Sequence, residues 1–377
     1  PWLAPLIANQ RLTRLLRIPF ILSLAWKAFP ASASNEAVIS GINERQFKEI
    51  IWRDYVERAA QAQGGLPIRR GQCFLSVAVA RARRMCLFVS PEGLDPEALK
   101  ALEDDEILIK SNTGGFAPAH DVLEDWAVSR FIAQEFDAKA GDPSQFVEAV
   151  GTEPAMRRGF RLWLSEAVAA TDKPHIMDFV LAVFQHANVP PVWRDDTAVA
   201  VLYSENAGEF IRSIEQQLLD DGKTLYRRFV HVVRTACKGP NEKLLSMYGL
   251  ATFRSHEALR SLFVVPAGSG WRELILFMHR NLAAFDLQDA DTVLGLLKDW
   301  AQGLGASDPL PVEAQAVAQI CLKYWELLTA PNLYADRLDQ EFLRILFRIP
   351  HAAPVEVAVL IRSAIENELV REYHSRT

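Results

Sequence analysis

The chain has 377 residues, half of them hydrophobic and 23% charged, with a formal net charge of -6. That length exceeds what one hydrophobic core usually organises, so two or three domains are expected; the apolar content excludes extended disorder, since disordered segments lack the apolar surface that offsets conformational entropy. The acidic balance argues against a general affinity for nucleic acid.

Residues 9–29 carry leucines and aromatics at helical spacing, but Pro19 would remove a hydrogen bond from a helix interior, so two short helices meeting at Pro19 are predicted. The apolar stretch Ile18 to Trp26 is closed by Arg17 and Lys27 and is about half the length that crosses a bilayer. No membrane span and no secretory leader are expected. The first residue is Pro1, and the expectation is that the chain begins inside a longer protein. Pro30 to Glu36 is small, polar and broken and predicts a linker, with a new unit beginning near Gly41.

That unit reads as a helix over Glu44 to Ala62, a turn at Gly64 to Pro67, a helix over Arg70 to Met85 and a short helix over Pro96 to Leu102. Ile107, Leu108 and Ile109 then precede the turn residues Asn112 to Gly115, which predicts a hairpin. A helix over Asp121 to Phe136 follows, with Leu123, Trp126, Ala127 and Phe131 on one face. Helices followed by one hairpin suggest a winged-helix module. From about Gly141 every legible element is helical: Phe160, Trp163, Leu164, Ala167 and Val168, then Phe342, Ile345, Leu346 and Ile349, then Val357, Leu360, Ile361, Ala364 and Ile365 fall at helical spacing. Pro174, Pro240, Pro311, Pro331 and Pro350 mark helix boundaries. The fold class is therefore mainly α, a winged-helix module with one β-hairpin followed by an all-helical, HEAT-like array of stacked pairs without sheet.

Catalytic signatures are scarce. Gly222-Lys223-Thr224 looks like the end of a phosphate-binding loop, but Gln217 stands where that loop needs a glycine, and a helix start is the expected role. Cys73, Cys86, Cys237 and Cys321 lie far apart in no zinc spacing, which fits a reduced, cytoplasmic setting. His120 and Glu124 are four apart on one helix, a weak pairing for a metal. Arg69, Arg70, Arg81, Arg83 and Arg84 make one helix basic, as in DNA-reading winged helices. Cys73, Phe74, Val77, Ala78 and Ala80 give it an apolar face, and Glu92 to Glu106 carries seven acids and one Lys. Domain packing is preferred over DNA.

The strongest local signal is the hairpin strand that delivers His120 to the first turn of a helix. Unpaired N–H groups and the helix dipole favour an anion there, and His120 adds a donor. Capping by His120 and Asp121 is the other reading of the same residues.

The hairpin ending in Phe116, then His120, then a helix with Leu123, Trp126 and Ala127, resembles the winged-helix domain of signal-transducing NTPases of the STAND class, which includes NACHT-type proteins. Upstream, RLTRLLRIPFILSLAW resembles the end of the helical lid that follows their nucleotide-binding domain. The resemblance covers residues 9–136 and implies a lid end over 1–35, a winged helix over 36–138 and a helical sensor over 139–377. It implies that Pro19 packs against the adenine end of a bound nucleotide and that His120 touches a phosphate of ADP in the resting state. Pro19 as a simple break between helices remains the other reading. It further implies ATP or ADP with Mg held by an upstream NTPase domain, whose phosphate loop and acids would precede Pro1. A protein or other ligand for the helical tail, oligomerisation on activation, a role in defence or signalling, and no catalysis by this segment complete the expectation. The runner-up is a helical scaffold with a winged-helix DNA- or protein-binding adaptor.

Overall fold

A computed structural model of the chain describes residues 12–16, 18–28, 41–59, 64–139, 141–170, 174–241, 264–304, 310–329 and 338–355, together with 7, 9, 357–359, 361, 362 and 365. The expected linker over 30–36, Pro331, Leu360 and Ala364 lie outside them. The described residues are mainly helical, with two small antiparallel pairs of strands. Two compact units divide the chain: Pro1–Ala167 with Asp172–Asp196, and Val168–Thr171 with Thr197–Thr377.

In the first unit, α1 (Thr13–Leu16) and α2 (Pro19–Ala28) meet at Pro19, which opens α2, where its missing N–H is no loss. Asn43 and Gln46 close a capping box over α3 (Glu44–Ile51). The helix expected to reach Ala62 instead widens into a π-helical stretch, Trp52–Glu57, and stops at Arg58, whose φ of 53° is left-handed. Gly64 and Gly65 take the positive φ of the next turn, so α4 (Leu66–Arg84) begins four residues before the expected start, with Pro67 inside its first turn. Asp95 caps α5 (Pro96–Asp104) by accepting the N–H groups of Glu97 and Ala98.

β1 (Leu108–Lys110) pairs antiparallel with β2 (Phe116–Pro118), and the far edge of Phe116 exchanges hydrogen bonds with Val89. α6 (Asp121–Lys139) follows directly. Phe47, Phe74, Leu99, Ile107 and Leu123 form one apolar core with Ile21 and Leu24 of α2. The segments upstream and downstream of the expected linker thus share a core.

The remainder of this unit is α7 (Pro143–Val150), all but the last two residues of α8 (Pro154–Ala169), α9 (Pro174–Gln185) and the start of α10 (Pro191–Tyr203). Their core is aromatic: Phe146 meets Phe179 at 5.0 Å and 81°, and Phe160 meets Trp193 at 4.6 Å and 70°, the edge-on geometry that ring quadrupoles favour. Buried Asp196 pairs with both Arg157 and Arg161.

In the second unit, α11 (Ala207–Ser213) and α12 (Glu215–Leu219) precede α13 (Thr224–Ala236), and α14 (Gly270–Arg280), α15 (Ala290–Gln302), α16 (Ala314–Thr329) and α17 (Leu338–Leu346) pack around Tyr226, Phe277, Phe285 and Tyr324. The expectation of a sheet-free region after residue 141 is corrected: β3 (Lys238–Pro240) pairs antiparallel with β4 (Val264–Pro266). Gly239 and Pro240 cannot continue α13, and β-branched Val264 and Val265 suit an extended partner. Pro240 therefore lies within a strand. Phe342, Ile345, Leu346 and Ile349 are buried as their spacing predicts, as is Val357, whereas Ile361 and Ile365 are exposed.

Candidate functional site

β2 and the short link after it bring His120 to the start of α6, where Ala119 N–H donates to the Ile107 carbonyl and fixes the approach. His120 is the N-cap. Its Nδ1 accepts the N–H of Val122 at 3.2 Å, and its carbonyl accepts Leu123 N–H at 3.0 Å. An imidazole nitrogen that accepts carries no proton, so the ring proton sits on Nε2, which is left as a donor. Asp121 is the first helical residue rather than the cap, and it reaches Arg81 at 3.5 Å.

The ring face of His120 is covered by Phe20, with centroids 3.8 Å apart and planes 4° from parallel. Phe20 is the second residue of α2 and follows exposed Pro19 directly. Pro19 and His120, about a hundred residues apart in sequence, are therefore brought to one corner of the first unit through this stack. The sequence reading assigned Phe20 no role. An aromatic directly after the helix-opening proline was the available signal, but its distant partner could not be read.

Glu124, which shares a helix face with His120, is buried and ion-paired with Arg81. Among the described residues no group of three or more His, Cys, Asp or Glu could hold a metal ion. The first-turn N–H of Val122 is already engaged by Nδ1, so the donor this corner offers an anion is His120 Nε2–H. A neutral N–H of this kind suits a phosphate oxygen, and exposed Pro19 offers an apolar face of the size of one ring.

The basic helix is engaged within the protein. Arg69 pairs with Asp95 at 2.9 Å and Glu97 at 2.8 Å; the backbone N–H of Ala98, then the Arg69 guanidinium, hold the Asp95 carboxyl below the usual carboxylate range. Arg70 is buried and donates to the carbonyls of Val56 and Ala101 while pairing with Asp105 at 2.8 Å. Arg81 meets Glu124, and Arg83 lies over the Phe131 ring at 4.9 Å. Arg84 is exposed.

A polar cleft of about 670 Å³ lies between α2, the π-helical stretch and the end of α5, lined by Trp26, Tyr55, Arg58 and acidic residues including Asp54 and Asp105. Asp54 pairs with Arg53, and Asp105 with Arg58 and Arg70. Lys48, by contrast, is half-buried: burial pulls its pKa down, but Glu166 and Glu44 outweigh this and raise it.

In the second unit, Gly222-Lys223-Thr224 opens α13 as expected. Lys223 directs its ammonium to buried Asp289 at 3.1 Å and to the Ala284 carbonyl at 3.1 Å. Among the described residues no helix is long and apolar enough to cross a membrane.

No protein-family model matches this chain, and no curated protein matches it significantly.

Proposed function

We propose that the chain is the regulatory and sensor portion of a STAND-type, NACHT-like nucleotide-binding signalling protein. In this reading an upstream domain holds ADP or ATP with Mg, and residues 36–138 act as a winged helix folded against it. His120 Nε2–H donates to an ADP phosphate in the resting state, and Pro19 packs against the adenine. The helices from 139 onward act as a HEAT-like sensor for a protein or other ligand, and activation assembles an oligomer, in a defence or signalling role.

The observation that carries the reading is the His120 ring itself. Its Nδ1 is occupied by Val122, its face rests on the residue after Pro19, and its one remaining polar edge is a donor. Capping and sensing are then roles of opposite edges of one ring, not competing accounts. A DNA-reading adaptor is not favoured, because Arg69, Arg70, Arg81 and Arg83 hold intramolecular partners.

The reading is tested by signalling output in the full-length protein. His120→Ala removes the phosphate donor and raises ligand-independent output, because a switch moves by the difference in affinity between its states. Output that stays at the resting level contradicts the proposal.

A further inference from the structure

We propose that Phe20 is a positioning residue for the phosphate donor of His120, setting the plane of the imidazole while Val122 sets its rotation. The proposal rests on the nucleotide reading above for its ligand, and on the cap and the stack for its geometry. The Val122 N–H meets Nδ1 at 3.2 Å. That bond and the Cβ attachment hold the ring at two points, and a half-turn that put a C–H in place of Nδ1 would forfeit the bond. The remaining motion is rotation about the line from Cβ to Nδ1. It carries Nε2 out of the plane and turns its N–H away from a bound oxygen while the cap bond survives. A hydrogen bond weakens steeply as its angle leaves the linear range, so the donor is effective only where that swing is arrested.

Phe20 lies across the swing. Its ring is parallel to the imidazole to within 4°, with centroids 3.8 Å apart, so a tilt toward it closes on van der Waals contact and a tilt away gives up the stack. Phe20 is itself held, half-buried against the core into which α2 sends Ile21 and Leu24. The acids of the first turn of α6, Asp121 and Glu124, are paired with Arg81, and neither holds Nε2. The plane of the ring is therefore set by stacking and not by a hydrogen bond on its far edge.

Nitrogen-15 NMR of this chain reads the division of labour between cap and stack. In Phe20→Leu the His120 ring keeps a bare Nδ1 and a protonated Nε2, because the cap does not need the stack, while its carbon-bound protons lose the upfield shift that the Phe20 ring imposes. A changed tautomer in Phe20→Leu contradicts that division.

ADP titrated calorimetrically into the full-length protein tests the positioning itself, through a double-mutant cycle. An aromatic pair contributes about twofold to tenfold in an equilibrium constant beyond its buried area, so Phe20→Leu weakens ADP binding by about that factor. Phe20→Tyr keeps the flat ring and binds ADP within about twofold of wild type. In the His120→Asn background Phe20→Leu has no further effect, because Phe20 acts through the imidazole. An equal loss of affinity in both backgrounds makes Phe20 merely structural and overturns the proposal. So does unchanged affinity in Phe20→Leu beside weakened binding in His120→Asn. Unchanged affinity in His120→Asn overturns the nucleotide reading, and the phosphate donor with it.

Discussion

Arg70 is only 3% exposed, and a guanidinium in such a place destabilises a fold unless its donors are matched. It bonds the carbonyls of Val56 at 2.9 Å and Ala101 at 3.1 Å and pairs with Asp105 at 2.8 Å, tying the end of the π-helical stretch to α5. Arg70→Met keeps the apolar stem and removes every donor, so it should cost about 3 to 5 kcal/mol in denaturant unfolding, as expected for breaking a buried pair. A loss below about 1 kcal/mol would mean that the packing of the stem dominates. The cysteines give a second test at this scale. Burial pushes the Cys73 thiol up to about 11 and that of Cys237 to about 12, and it raises Cys321 further. A raised thiol pKa means less thiolate at a given pH, so native protein at about pH 8 should alkylate at half-buried Cys86 first, with the others reacting on unfolding. Equal labelling of Cys237 in the native state, read by mass spectrometry, would contradict this.

At the scale of elements, close approach decides what the sequence can vary. α8 crosses α6 at Gly159, where a Cβ would press into Val128 and reach Ile132 at 3.4 Å. Gly159→Ala should therefore destabilise by about 1 to 3 kcal/mol despite the better helix propensity of alanine. Near the start of α13, Asp221, Gly222 and Lys223 have φ values of 47°, 58° and 62°, a left-handed turn of which two residues carry side chains that disfavour it. Buried Asp289, with Lys223 at 3.1 Å and Arg227 at 3.0 Å, holds that turn in place. Asp289→Asn should cost about 3 to 5 kcal/mol by leaving two cations against a neutral group.

Helix positions were legible because leucines and aromatics at 3.6-residue spacing report local burial, as Phe342, Ile345 and Leu346 do. The π-helical widening at Trp52, the bridge from Val89 to Phe116 and the β3–β4 pair were not legible. Each depends on a partner or a backbone strain remote from the residues that form it. At the candidate site, His120 and Pro19 stood out from their local patterns, while Phe20 did not, because its role exists only through a contact 100 positions away.

At the scale of the whole molecule, Gly159 and Asp289 belong to different compact units, so Gly159→Ala and Asp289→Asn should be additive in unfolding free energy to within about 0.5 kcal/mol. Strong non-additivity would show the two units to be energetically coupled. The central claim concerns His120, whose two ring nitrogens have been given different tasks, and one substitution separates them. Asn at an N-cap accepts the same Val122 N–H but leaves no Nε2–H to donate. Calorimetric titration of ADP into full-length His120→Asn is therefore the decisive measurement. A hydrogen bond to a charged group contributes roughly 1.5 to 3 kcal/mol, so ADP should bind about ten to a hundred times more weakly while the melting temperature stays near that of the wild type. Unchanged ADP affinity in this variant would contradict the account and leave His120 as the cap of α6 alone.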